Sequence, residues 1–335
     1  MKKSLITLAI LAASGASFAQ SSVSLYGIAD VWFGRTTATN APNQIKLDSG
    51  GVSGSRFGFK GSEDLGGGLK ANFLLEQGFN LDDGTQAAAG QMFSRQAYVG
   101  FSGGFGEVKL GKVFTAYDDI SGMTNPAFDS ALSPQNGVWA STGYQGNPGN
   151  TVYYATPAFS GFSGALSYSL GENKTTAVDA GAITSVHAKY EGGPIYAGLA
   201  YQTEKANGAS TSVAFTRLNA SYDFGMAKAL IGFGRTTDAV FGAAAGVATP
   251  GAEVTEWQLG ADVPVGSALT VSGGIARSSD NVVAGDAVRK GYSLAAAYSL
   301  SKRTLIYTGY QSATKTLAGV DTDTSLLAVG MRHAF

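Results

Sequence analysis

Seven charged side chains stand out by type and spacing. Arg56, Lys60, Arg95 and Lys112 fall in or beside alternating segments, and Asp118, Asp119 and Asp129 fall in the aperiodic stretch that follows. Cations on one wall facing carboxylates on another would make a transverse field. Such a field breaks no bond; it sorts solutes by charge and dipole. The residues that bond-making chemistry needs are absent or scattered. There is no cysteine, and the two histidines, His187 and His333, are too far apart in sequence to read as a metal cluster. No GxSxG elbow accompanies His187, and no GxxxxGK[ST] or GxGxxG opens a helix. The glycine-rich pieces GSEDLGGG and SGGFGE sit where tight turns are needed. The reading is of a chain without cofactor, metal or catalytic role.

The elements that would position these charges alternate with a period of two. In the final segment SLLAVGMRHAF, Leu327, Val329, Met331 and Phe335 share one face with His333. Leu326, Ala328, Gly330, Arg332 and Ala334 share the other. About ten such residues ending in an aromatic fit a strand with lipid on one side and water on the other. Comparable segments recur at 23–35, 51–61, 69–81, 93–102, 106–114, 150–157, 162–171, 183–191, 195–204, 213–224, 227–237, 253–264, 268–279, 288–300 and 303–312. With 324–335 they number about sixteen. Connections alternate between short and long, the long ones being 36–50, 82–92, 115–149, 172–182, 205–212, 238–252, 280–287 and 313–323. An even count with short turns at one end and long loops at the other predicts an all-β fold. Its form is a transmembrane 16-stranded antiparallel β-barrel with both ends of the chain on the periplasmic side. A secreted sandwich would need a polar outer layer that the recurring aromatic face does not supply.

Bulk composition agrees. Lys2 and Lys3, the apolar run Leu5 to Ala13 and the small residues Ser17 and Ala19 read as a cleaved signal peptide over 1–20, leaving a barrel over 21–335. The run is too short to cross a membrane as a helix, and no later stretch is long and apolar enough. Charged residues make up 14% of the chain, against about 25% in soluble proteins. Mean hydropathy is nevertheless only +0.05, the average of a face for lipid and a face for water. The net charge of −1 argues against nucleic acid as a partner.

Parity assigns the charges. Arg56 and Lys60 stand opposite Phe57 and Phe59, so they point to the lumen; Arg95 begins a strand. Lipid exposure would cost a mid-membrane cation about 2–4 kcal/mol, which favours the wet side. Lys112 shares the parity of Val108 and Leu110, so it needs a bulge or a sheltering neighbour. The stretch 115–149 is too long for an idle connection and carries Tyr117, Phe128, Trp139 and Tyr144. A sixteen-strand cylinder is too wide to discriminate small solutes, and folding this loop inward would narrow it.

The stretches SSVSLYGIAD, SRFGFKGSEDLGGGLKANFLLEQGF, SRQAYVGFSGGFGEVKLGK, NTVYYATPAFSGF, YSLSKRTLIYTGY and VGMRHAF resemble the trimeric general porins of β-proteobacteria. The resemblance spans the chain after the leader. It implies a homotrimer in the outer membrane of a Gram-negative bacterium, surrounded by outer-membrane lipid, with a third loop folded into each pore. It also implies passive diffusion of small hydrophilic solutes and ions. Arg56 and Arg95 match wall arginines of such porins, and Asp118, Asp119 and Asp129 lie in the segment matching the constricting loop. Two positions depart: Asn147 and Lys112 stand where many relatives carry Arg. One wall cation is lost and another lacks the guanidinium fork, so weak selectivity is expected. A porin specific for small anions, carboxylate or phosphate, is the alternative within transport. An outer-membrane adhesin is the alternative outside it.

Overall fold

A computed structural model describes residues 22–239, 250–281 and 287–335. The leader expected at 1–20 and the tips of the 238–252 and 280–287 loops lie outside the described residues. Alternation becomes seventeen strands in one sheet. The first nine are β1 (Ser22–Ala38), β2 (Ala41–Ser49), β3 (Arg56–Gly66), β4 (Leu69–Gly78), β5 (Gln96–Gly103), β6 (Gly106–Lys112), β7 (Thr151–Ala155), β8 (Phe162–Leu170) and β9 (Ala182–Gly192). The rest are β10 (Ile195–Lys205), β11 (Val213–Asp223), β12 (Lys228–Thr237), β13 (Glu253–Val265), β14 (Leu269–Asp280), β15 (Val288–Ser299), β16 (Thr304–Leu317) and β17 (Val320–Ala334).

Each strand pairs antiparallel with its sequence neighbour, except that β3 pairs with β1 rather than with β2, and β1 also closes the cylinder against β17 from Ile28↔Ala334 to Ala38↔Thr324. Closure leaves no free edge, which a bilayer requires because lipid offers backbone groups no hydrogen bonds. Gly27 and Phe335 exchange both backbone hydrogen bonds, each at 3.0 Å. The Phe335 ring lies so close over Gly27 that an added Cβ would collide with it. Glycine is therefore needed there for room rather than for its dihedral freedom.

The sixteen expected staves and the seventeen strands are reconciled at β2 and β3. β2 pairs with Val31–Ala38 of β1, and β3 pairs with Ser22–Ile28 of the same strand. They are the two halves of one stave, broken at residues 50–55. Asp30, fully buried, explains the break. Its carboxylate accepts the backbone N–H groups of Gly51 at 3.0 Å, Val52 at 3.1 Å and Ser53 at 2.8 Å, and the Tyr307 hydroxyl at 2.5 Å. A buried carboxylate needs such donors, and these turn the chain inward there.

Two expected loops are corrected. Residues 36–50 contain β2 and a turn at 39–40, and 313–323 continues β16 and β17 around a turn at 318–319. These hairpins overshoot the 9–11 residues that a tilted span needs. Outside the bilayer both faces meet water, so hydropathy no longer alternates. Polar cross-strand pairs carry the pairing instead: Thr314 to Asp323 at 2.6 Å, Thr316 to Asp321 at 2.7 Å, and Thr37 with Ser325 at 2.7 Å.

The parity of the last strand holds. Leu327, Val329 and Met331 are 53%, 54% and 47% exposed on the outside, whereas Leu326 and Ala328 are buried. Short turns gather at one end, among them 67–68, 104–105 and 193–194, and outer-membrane barrels keep that end in the periplasm. Gly66, Gly67 and Gly68 all hold positive φ (88°, 61° and 81°), a run that side chains would resist.

Candidate functional site

The segment between β6 and β7, 113–150, enters the lumen and follows the wall. Its backbone bonds name the route. Ala116 N donates to Ser167 Oγ of β8 at 3.2 Å, and Tyr117 N to Ser185 Oγ of β9 at 2.6 Å. The carbonyls of Ile120 and Ser121 accept from Asn219 and Arg217 of β11, both at 2.5 Å. The Thr124 carbonyl accepts from Gln258 of β13 at 3.0 Å, and Ala127 N donates to Ser272 of β14 at 2.7 Å. At its far end Ala131 N donates to the Gly51 carbonyl at 2.8 Å, so the broken stave is the seat of the loop.

The return leg passes Gln311 of β16, which donates to the Asn136 carbonyl at 2.9 Å. It then passes Glu256 of β13, whose carboxylate accepts from Ala140 N, Ser141 N and the Ser141 hydroxyl. Gln145 N next donates to Glu204 of β10 at 2.6 Å. Apolar side chains dry the contact. Tyr117 and Ile120 pack with Ala200, Val213 and Phe215; Leu132 packs with Trp32, Ala295 and Tyr307. Arg217 is buried between the rings of Trp139, 4.7 Å away, and Tyr117, 5.8 Å away. Sequence reasoning passed over Glu256, Arg217, Asn219 and Gln258. Their signal was polarity on inward parity, opposite Trp257, Leu218 and Leu259.

The loop brings its three carboxylates together. Asp118, Asp119 and Asp129 line one cavity of about 490 Å³ with Ser121, Asn125 and Tyr144. Asp118 accepts the Tyr144 hydroxyl at 2.6 Å, Asp119 the Tyr153 hydroxyl at 2.6 Å, and Asp129 the Asn125 amide at 2.6 Å. Ala127, Phe128 and Asp129 hold left-handed φ of 55°, 68° and 49°, strain of order 1–3 kcal/mol each that the wall contacts must hold. Burial pushes the Asp118 carboxyl up to about 6, against the pull of the Tyr144 hydroxyl and with a push from Asp119 and Asp129. Burial likewise raises Asp119 to about 6, against its bond from Tyr153.

The wall that the loop leaves bare, β3 to β6, carries the cations. Arg56 lies on the inward parity of β3, across from Gly78 of β4. Arg95 precedes β5 and donates to Glu76 at 2.7 Å, with its guanidinium 5.4 Å from the Phe114 ring. Arg95, Glu76, Tyr26 and Arg332 are the charged or titratable groups acting on Arg56, and Arg95 also acts on Asp118 of the loop. Arg332 was placed inward by parity but not singled out. Lys60 is inward and sits 5.1 Å from the Tyr26 ring. Lys112 keeps the outward parity that its sequence gave it, opposite Ala97. Its ammonium donates to the Asn147 carbonyl at 2.7 Å, and Asn147 donates to the carbonyls of Ser94 and Arg95 at 3.1 and 3.0 Å. Lys112 and Asn147 thus tie the returning loop to the wall. His187 reaches the Ala116 carbonyl at 2.6 Å, and His333 bonds Thr304 at 2.8 Å on the outside.

A profile of Gram-negative porins matches residues 6–316. Outer membrane porin protein 32 of Delftia acidovorans is 36% identical over 363 residues, with 100% of both chains covered. An outer membrane porin protein of Bordetella pertussis is 32% identical, again over 100% of both. The solved structure of an anion-selective porin from Comamonas acidovorans is similar with a TM-score of 0.80 and 28% identity, over 94% of this chain and 100% of that one. With the closed sixteen-stave cylinder and the loop inside it, these matches place the chain in the Gram-negative porin family, as a multi-pass β-barrel of the outer membrane.

Proposed function

We propose that the chain is a general diffusion porin, a homotrimer that passes small hydrophilic solutes and ions through a water-filled pore with weak charge selectivity. The observation that supports this reading is that the inward-folded loop gathers Asp118, Asp119 and Asp129 at one lumenal cavity, while Arg56 lies on the inward parity of β3 and Arg95 precedes β5 on the wall that the loop leaves bare. Charges of both signs at one narrowing favour neither ion strongly, and Glu76 offsets Arg95 at 2.7 Å. Asn147 is neutral, and the Lys112 ammonium is held at the Asn147 carbonyl on the outward parity of β6, so neither adds to the cations facing the lumen. Purified protein in planar bilayers should give conductance steps that scale with salt; silent bilayers would overturn the reading.

Arg56→Glu changes the wall by two charge units. The cation-over-anion permeability ratio should rise roughly fivefold, about 1 kcal/mol for two charges acting through water at pore distances. A salt-gradient reversal potential measures this, and an unmoved potential removes Arg56 from the selectivity. Acid should act in the opposite sense. Asp118 and Asp119 carry charge above about pH 6 and lose it below. Between pH 7.5 and 5 the reversal potential should therefore move toward anions, and Asp118→Asn/Asp119→Asn should flatten that dependence.

A further inference from the structure

Between the constriction and the short-turn end, the lumenal faces of β1 and β3 to β6 enclose a pocket of about 440 Å³. Lys60, Lys70, Asn72, Tyr98, Ser102 and Glu107 line it, with the hydroxyls of Ser24 and Ser62. Its chemistry is one-sided. Glu107 is the one carboxylate in that lining, and it is committed to Lys109 at 3.0 Å. Lys60 and Lys70 form no ion pair within 4.0 Å among the described residues. Asp64 stands across from Lys70 in register, but its carboxylate accepts Gly66 N at 2.8 Å at the turn.

The neutral groups are donors too. Asn72 donates to Ser102 Oγ at 2.9 Å, which leaves the Ser102 hydroxyl proton free. Rings stiffen the cations: Lys60 lies 5.1 Å from the Tyr26 ring, and Lys109 lies 5.4 and 4.9 Å from those of Tyr98 and Tyr153. Lys60 pairs across with Leu74, and Lys70 is four residues along the same strand. That is about 13 Å of strand, within the combined reach of two lysine side chains converging on one group.

We propose that this pocket is a binding subsite for a small doubly charged oxyanion, a dicarboxylate or phosphate, on the periplasmic side of the constriction. The proposal rests on the channel reading and deepens it. An oxyanion leaving the constriction past Arg56 and Arg95 meets two unpaired ammonium groups and several hydroxyl donors, and charge-assisted hydrogen bonds to such donors are the strong kind. The site is open to the lumen, so binding is shallow enough for release, as conduction demands.

The test titrates inorganic phosphate into the short-turn side of a planar bilayer while the chloride current through single channels is recorded. The current should fall saturably, with half the effect at a concentration on the order of millimolar. Lys70→Gln should weaken that half-effect concentration roughly fivefold, and Lys60→Gln/Lys70→Gln should abolish saturation. Lys174→Gln, which removes a cation from the long 172–182 loop at the other end of the cylinder, should leave the half-effect concentration in place, which separates the subsite from a general loss of positive charge. A wild-type current that responds linearly to phosphate, or saturation that survives in the double lysine variant, overturns the subsite while the channel reading stands. A bilayer with no steps at all overturns both.

Discussion

Asparagine at positions 118, 119 and 129 together is expected to raise the anion-over-cation permeability ratio roughly tenfold, since each charge is worth about 0.5 kcal/mol through water at 8 Å and tenfold corresponds to about 1.4 kcal/mol. The three carboxylates share one cavity, so each counts toward the same barrier. The loop should keep its place. Asparagine retains an oxygen that can accept from Tyr144, Tyr153 or Asn125, which bond the present side chains at 2.6 Å. Its seats on the wall are elsewhere, at Arg217, Asn219, Gln258 and Glu256. The effect is therefore electrostatic, and two readouts separate it from a structural one: reversal potential should move and single-channel conductance in high salt should not. An unchanged reversal potential would show that the loop carboxylates are solvated bystanders and would return selectivity to the wall alone.

Glu256→Leu is expected to act on position rather than on the three loop carboxylates, releasing the loop from the wall. Glu256 is fully buried and accepts from Ala140 N, Ser141 N and the Ser141 hydroxyl. Leucine matches its bulk and accepts nothing. Each stranded donor costs about 1–3 kcal/mol, so the three together exceed what a single loop seat can lose and stay docked. The cylinder should survive, because its strands are paired to each other and not to the loop. The channels should open wider and flicker, with higher mean conductance and larger current noise. Glu256→Gln keeps one acceptor oxygen and should fall between wild type and leucine. If leucine at 256 conducts with the same step size and quiet baseline, the glutamate is not an anchor.

The parts of the molecule legible in the sequence are those written as a contrast between neighbours. Leu327 against Leu326 and Ala328, or Phe57 against Arg56, show which side meets lipid because the two environments differ most there. The contrast fails where both faces are wet. In β2, APNQIKLDS, only Ile45 and Leu47 alternate outward between polar neighbours, too short a run to mark a strand, so the segment read as a loop. The break at 50–55 was equally hidden, since Asp30 and the N–H groups it collects lie 21 to 23 residues apart. The candidate charges were visible as types and parities. The seats of the loop were not, because they are pairings across great sequence separation, such as Ser141 with Glu256, 115 residues apart. Lys112 shows the middle case. Its outward parity was readable, but its partner, the Asn147 carbonyl, became apparent only once the loop's return path was known.

The route of the loop also bears on how the protein is assembled. Its seats come from β8, β9, β11, β13, β14 and β16 and from the gap in the first staves. No partial sheet offers them all in their final curvature. The throat must then be the last feature to set, in a vessel already closed and flooded. For that interval a newly inserted barrel is a bare hole in the cell's outer barrier, and the speed at which one loop finds its ledge decides how long the breach lasts.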